Sequence, residues 1–308
     1  MITNSDVIRI SKGYGFDIIG FAKAEPLNKE FEHYRSWIAN GYQAGMEYME
    51  KNQDKRKDVN KILSEAKSVI SLGLNYYAPQ TYSGNKSNGK ISRYAWGKDY
   101  HLVIWEKLFL IIQKLKEMDI SFEAISYVDT GPLMDKAWGV RAGLGWQGKH
   151  TNIINKEFGS WFFIANIITD HKFEYNEQIE DFCGTCTACI DACPTKAIIK
   201  PYEVDSNKCI SYQTIENKGE ISPELKGKFE NWLFGCDICQ DVCPWNIKFS
   251  QTTSIHEFYD TDSKRELNLE KVSNLREEEF DSLFVNSAVK RAKLKGLKRN
   301  AAFLNESI

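Results

Sequence analysis

The chain has 308 residues, 42% of them hydrophobic, 13% aromatic and 27% charged, with a formal net charge of −2. This composition excludes a disordered or low-complexity chain and supplies one large or two modest cores. No run of about 18 apolar residues is present, so no membrane-spanning helix is expected, and the near-neutral charge does not announce a nucleic-acid binder, although a local basic patch can still serve.

In chain order, the start Met1-Ile2-Thr3-Asn4-Ser5-Asp6 lacks a basic stretch followed by an apolar one, so no leader and a cytoplasmic protein are expected. Ser5 or Asp6 is expected to cap a helix that ends near residues 13–15. Residues 17–22 read as a short apolar strand. Residues 28–40 have helical spacing and stop at Gly41. Residues 68–74 read as a buried strand, and 82–89, rich in Ser, Gly, Asn and Lys, as a surface loop. Residues 100–118 form the strongest helix, with Leu102, Trp105, Leu108, Phe109, Ile112 and Leu115 on one face. Residues 122–128 read as a strand, Pro132 as a first-turn helix residue, and 161–168 as a closing strand. Strands alternating with helices suit a sheet covered by helices.

Two stretches of this region invite chemistry. In Val128-Asp129-Thr130-Gly131-Pro132 an aspartate stands at a strand end, where α/β sheets place ligands. The plainer reading is a helix cap, since Asp129 and Thr130 both cap well. In Arg141-Ala142-Gly143-Leu144-Gly145-Trp146-Gln147-Gly148-Lys149-His150 three glycines in six residues allow a tight turn or close backbone approach to a ligand. The spacing is neither a dinucleotide fingerprint nor a phosphate loop.

The eight cysteines follow. Cys183-x2-Cys186-x2-Cys189-x3-Cys193-Pro194 is the bacterial ferredoxin run, whose fourth cysteine ligates the other of two clusters. Cys236-x2-Cys239-x3-Cys243-Pro244 lacks one cysteine of that pattern, and the lone Cys209 supplies it. One 4Fe–4S cluster is therefore expected on Cys183, Cys186, Cys189 and Cys243, and a second on Cys193, Cys209, Cys236 and Cys239. Zinc also takes paired C-x2-C ligands, but it leaves the third cysteine of each run and both prolines unexplained. Disulfides are not expected in a long chain without a leader. Further on, residues 290–299 carry six cations in ten positions, a solvated helix face or a phosphate-tracking patch.

Taken in order, Arg93-Tyr94-Ala95-Trp96-Gly97-Lys98-Asp99-Tyr100-His101, Val128-Asp129-Thr130-Gly131-Pro132, Ala142-Gly143-Leu144-Gly145-Trp146-Gln147-Gly148-Lys149 and the eight cysteines resemble the epoxyqueuosine reductase family along nearly the whole chain. The resemblance implies an α+β fold: a nitroreductase-like corrinoid-binding domain over 1–174, a ferredoxin-like two-cluster module over 175–248 and a helical extension over 249–308. It implies an oxidoreductase that uses cobalamin and two 4Fe–4S clusters to reduce the epoxide of epoxyqueuosine, at the tRNA wobble position, to the cyclopentene of queuosine. Many members continue into a helical-repeat domain, for which this chain ends too early. Asp129 is implied as proton donor, with its pKa raised by burial beside the corrin. Arg56, Ser92, Asp129, His150, Ser211, Cys236 and Asp237 are implied as cobalamin contacts. With tRNA as substrate, Lys295, Lys298 and Arg299 become candidate phosphate contacts, extended by Lys136, Arg141 and Lys149. An external low-potential electron donor and a monomer are expected. The competing expectations are a corrinoid reductase of another class, such as a dehalogenase, and a ferredoxin-type electron carrier with a large docking domain.

Overall fold

The structure, a computed structural model, describes residues 2–260 and 263–306. The first half of the chain supplies α1 (Asn4–Gly13), β1 (Ile18–Lys23), α2 (Asn28–Ala39), α3 (Gln53–Lys57), β2 (Ser68–Asn75), β3 (Asn88–Ile91), α4 (Tyr100–Met118), β4 (Ala124–Tyr127), α5 (Asp135–Arg141), β5 (Trp146–Gln147), β6 (Ile153–Ile154) and β7 (Phe162–Thr169). The second half supplies α6 (Ala188–Asp191), β8 (Ile198–Lys200), β9 (Glu203–Val204), α7 (Ile210–Ile215), β10 (Trp232–Phe234), α8 (Ile238–Asp241), α9 (Pro244–Phe249), β11 (Glu266–Asn268), α10 (Leu269–Asn274), α11 (Glu277–Leu283) and α12 (Lys293–Asn305).

Four strands in the order β1-β2-β7-β4, all antiparallel, form the main sheet. Every residue of β2 is buried, because helices cover both faces. On one face Ile70, Leu72 and Leu74 meet Val103, Ile104, Leu108, Ile111 and Leu115 of α4. On the other, Val69 and Ile168 meet Trp138, Ala142 and Leu144 in and after α5. Burial on both sides explains an apolar run without strict alternation.

The limits expected for α4 hold, but the buried face differs. Its core seam is 104, 108, 111 and 115, while Trp105 (45% exposed) and Phe109 (62%) point outward. Both stripes have helical spacing, and periodicity alone does not say which one meets the sheet. Two other expectations are corrected. Thr3, not Ser5 or Asp6, caps α1, with Asp6 completing the capping box from the third helical position. Pro132 lies in an irregular bend, and α5 starts only at Asp135.

A smaller sheet, β10-β3-β11, joins distant parts of the chain: β3 pairs in parallel with β10 and antiparallel with β11. Around it Ile91, Ala95 and Trp96 share a core with Phe229, Trp232, Leu233, Phe234, Leu269, Phe284 and Leu297. The fold is α+β as expected, yet residue 248 does not part independent cores, since the C-terminal segment is built onto the early β3. No helix among the described residues is long and apolar enough to cross a membrane.

Candidate functional site

Four short helices present the cysteines. Cys183, Cys186, Cys189 and Cys243 line one cavity of about 160 Å³, together with Lys149, His150, Phe182 and Trp245. That volume is several times the roughly 30 Å³ share of a water molecule. A tetrahedral zinc draws its sulfurs to about 2.3 Å and leaves no such space, and among the described residues no three His, Cys, Asp or Glu side chains come together around a single ion. The donor set and its spacing fit a cubane cluster. Burial pushes the Cys189 thiol up to about 11, so a cationic cluster must replace these protons for the sulfurs to ligate as thiolates.

The second set gathers beside the first. Burial, then the charges of Cys209, Cys189, Cys193 and Asp237, raises the Cys239 thiol, and burial, then Cys239, raises Cys236. The N–H of Ala197 donates to Cys193 Sγ at 3.2 Å. Cys209 and Cys243 occupy the N-cap positions of α7 and α9. Burial raises both thiols, and the N–H groups of Tyr212 and Ser211 at Cys209, and of Asn246 and Trp245 at Cys243, pull against it. The cysteine that completes each set from a distance is thus held at a helix start. Cys186 is exposed, which opens the first set to solvent.

Behind the second set, Ser92 Oγ and the Arg93 N–H both donate to the buried Asp237 carboxylate, the latter at 2.8 Å. The Arg93 guanidinium stacks among Tyr77, Trp96 and Trp161, with ring centroids 4.9, 4.5 and 5.2 Å away. Ser92 and Asp237 therefore satisfy one another beneath α8.

On the opposite wall, Asp129 stands at the end of β4 with φ +57, a left-handed conformation that a non-glycine residue adopts at a cost. The capping reading fails, because α5 begins six residues later with Met134 as N-cap. Instead Tyr100 Oη donates to Asp129 Oδ2 at 2.7 Å, and His101 Nε2 lies 3.6 Å from the same oxygen. That is an ion-pair distance rather than a hydrogen bond. His101 Nδ1 is 2.8 Å from Asp99 Oδ1, and Asp99 itself caps α4. Burial depresses the imidazolium, but Asp129 and Asp99 outweigh it and carry His101 up to about 9. Burial raises the Asp129 carboxyl, and the pulls of His101 and Tyr100 outweigh it, leaving it below its ordinary value. The expected upward shift of Asp129 is thus reversed: the proton of this pair resides on His101. Sequence reading gave Tyr100 and His101 no role, since nothing local signals a bond between positions 29 apart.

The Asp129 side chain is 67% exposed, yet burial is the largest single influence on its charge. Lys136 is likewise exposed, while burial lowers its ammonium and Cys239, Asp129 and Cys209 raise it. It therefore faces both the acid wall and the second cysteine set. Tyr94, half-buried, feels both Asp129 and Asp237.

Several expected ligand residues also bond within the chain. Arg56 donates to the carbonyls of Lys51, Leu133 and Tyr48. Arg141 pairs with Glu30 and ties α5 to α2. Lys149 Nζ donates to Gly184 O and Cys186 O. Arg299 donates to the carbonyls of Gln213, Asn217 and Gly219. His150 lines the first cysteine cavity, where burial pushes it down to about 4 and leaves it neutral. In the basic run, Arg291 is bidentate to Glu216, and Lys290 meets Asp281. Lys295 stays exposed and Lys298 half-buried.

Two adjoining four-cysteine sets, with an imidazolium–carboxylate pair whose charge reaches toward them, define an iron–sulfur oxidoreductase. Residues 182–246 match the family model of the 4Fe-4S double cluster binding domain, and 56–130 that of epoxyqueuosine reductase QueG. The epoxyqueuosine reductase of Leadbetterella byssophila is 49% identical over 292 residues, covering 95% of each chain. That of Synechocystis sp. is 45% identical over 271 residues, covering 88% of this chain and 93% of its own. A crystal structure of epoxyqueuosine reductase with an epoxyqueuosine-modified tRNA-Tyr stem loop is 32% identical with a TM-score of 0.91, covering 97% of this chain and 80% of that one. The chain belongs to the epoxyqueuosine reductase family.

Proposed function

We propose that the chain reduces epoxyqueuosine in tRNA to queuosine, with a cobalamin in the cleft and electrons delivered through the two cysteine sets. The observation that carries this reading is the Tyr100–His101–Asp129 group, which faces the second cysteine set across an open cleft. Converting an epoxide to an alkene and water takes two electrons and two protons. Each cluster passes one electron at a time, so two in series form a relay. The cobalamin would supply the low-potential electrons that no side chain can; the chain supplies position and protons.

The protons come from the acid wall. Asp129 presents its carboxyl to the cleft, and the His101 imidazolium behind it returns a proton after each transfer. A bulky apolar ligand in the cleft removes water from Asp129 and shifts the shared proton toward it. Lys136, felt at Asp129, offers an exposed cation at the rim for an RNA backbone. Lys295 extends this surface. Arg56, Ser92, Asp129, His150, Ser211, Cys236 and Asp237 remain the corrin contacts that the resemblance implies. A relative crystallised with a modified tRNA stem loop supports tRNA as substrate. An electron carrier has no use for an imidazolium–carboxylate pair in a cleft.

Asp129→Asn tests the reading. The variant should hold both clusters and the corrinoid but lose roughly 10²–10⁴-fold in epoxide reduction, the typical contribution of a positioned acid. Turnover near wild type would refute it.

A further inference from the structure

The loop over residues 143–150 takes no nucleotide, and the proton chemistry leaves it unused. Its glycines bring it flat against β6: a Cβ on Gly145 would meet Ile154 O at 2.1 Å, and one on Gly148 would meet Ile154 Cδ1 at 2.6 Å. The loop is thereby held against the first cysteine set. Lys149 donates its backbone N–H toward Cys183, and the indole of Trp146 acts on the same sulfur. Trp146 is 2% exposed, and its Nε1 has no oxygen or nitrogen partner. It packs with Cys243 and Cys183.

His150 adds a third donor. Its Nδ1 accepts the Asn152 N–H at 3.1 Å, so in the neutral ring the proton sits on Nε2. That Nε2–H is buried without a partner, on a ring 4% exposed that lines the cavity of Cys183, Cys186, Cys189 and Cys243. A buried donor without an acceptor costs about 1–3 kcal/mol. One orphan donor on His150, and two more donors already directed at the Cys183 sulfur, point to a sulfur acceptor that arrives with the cluster.

We propose that the 143–150 loop is a hydrogen-bond cradle for the cluster on Cys183, Cys186, Cys189 and Cys243, with Trp146 Nε1–H, Lys149 N–H and His150 Nε2–H directed at its sulfurs. The proposal rests on the iron–sulfur reading of these cysteines. Reduction adds one electron to the cluster, and N–H dipoles stabilise the added negative charge, so the cradle raises the reduction potential. This suits an entry cluster, since Cys186 opens to solvent. Lys149 Nζ, bonded to Gly184 O and Cys186 O, clamps the cluster loop onto the cradle.

The test uses the full chain with both clusters reconstituted and no cobalamin, titrated electrochemically and followed by electron paramagnetic resonance. Cys209→Ser assigns the signal of the first cluster. Trp146→Phe keeps the ring and removes the N–H; His150→Phe removes the other. Each should lower the reduced-to-oxidised ratio of the first cluster about tenfold at fixed potential, a shift of about 59 mV for one electron, and leave the second unmoved. Full iron content with both potentials unmoved overturns the proposal. Should a variant lose iron, wild type labelled with ¹⁵N-histidine decides the matter. Pulsed resonance of the reduced first cluster must show coupling to a ring nitrogen, and its absence refutes the cradle. A wild-type chain that incorporates only one cluster overturns the cysteine assignment itself, and the cradle with it.

Discussion

Replacing Asp99 by Asn should switch the charge of a histidine it never leaves. Asp99 holds His101 Nδ1 at 2.8 Å, and Asp129 stands 3.6 Å from Nε2. Together they carry the imidazolium from its ordinary 6.5 to about 9, worth about 3 kcal/mol at about 1.4 kcal/mol per tenfold. Asp129 and Asp99 both contribute, Asp99 through its bond and its charge, so the variant should lower the His101 value. Asn caps a helix as well as Asp, and its carbonyl oxygen can still accept the His101 N–H, so α4 should persist. Because the folded pKa lies above the unfolded one, the stabilisation is complete below pH 6.5 and disappears as pH rises through about 9. Two assays report it. A ¹³C-histidine titration follows the ring directly, with only five histidines to assign. The alkaline limb of epoxide reduction, expected near pH 9 in wild type, should move to lower pH. A limb fixed near 9 in Asp99→Asn would refute the assignment of the proton store to His101.

Cys209→Ser should remove one cluster and spare the other, halving the iron content; full iron with normal spectra would strike Cys209 from the ligands. Arg299→Met should lower the melting temperature, because it orphans the carbonyls of Gln213, Asn217 and Gly219 at a cost of about 1–3 kcal/mol. Lys295→Ala should leave the melting temperature unchanged and reduce the salt dependence of tRNA binding; the reverse pattern would contradict the assignment of these two cations. Gly20→Ala should destabilise by about 1–3 kcal/mol, since its Cβ would lie 1.9 Å from Ala142 O and push α5 off the sheet. Unchanged thermal unfolding would refute that contact.

What the sequence reveals depends on how local each cause is. Residues 68–74 read as a buried strand because both faces are covered, and spacing alone divides the cysteines into two sets. The face of α4 is another matter: Phe109 and Ile111 have equal claims by hydrophobicity, and only the position of the sheet decides between them. Asp129 resembles a cap because its partners, Tyr100 and His101, belong to another element. The basic run misleads for a similar reason. Arg299 and Arg291 are spent on α7 and the segment after it, which only the folded chain brings near.

The strand β3 has a bearing on how the molecule is made. The main sheet draws on residues 18–169 and can close once these have left the ribosome. The second sheet cannot, because β3 waits for partners at 232–234 and 266–268. During synthesis residues 88–91 leave the ribosome well over a hundred residues ahead of their neighbours, with an unpaired edge in the meantime. Ser92, which follows β3 directly, secures Asp237 beneath α8. The second cysteine set therefore reaches its final geometry only after most of the chain has emerged, and iron loading of that set is a late event in the life of the nascent protein.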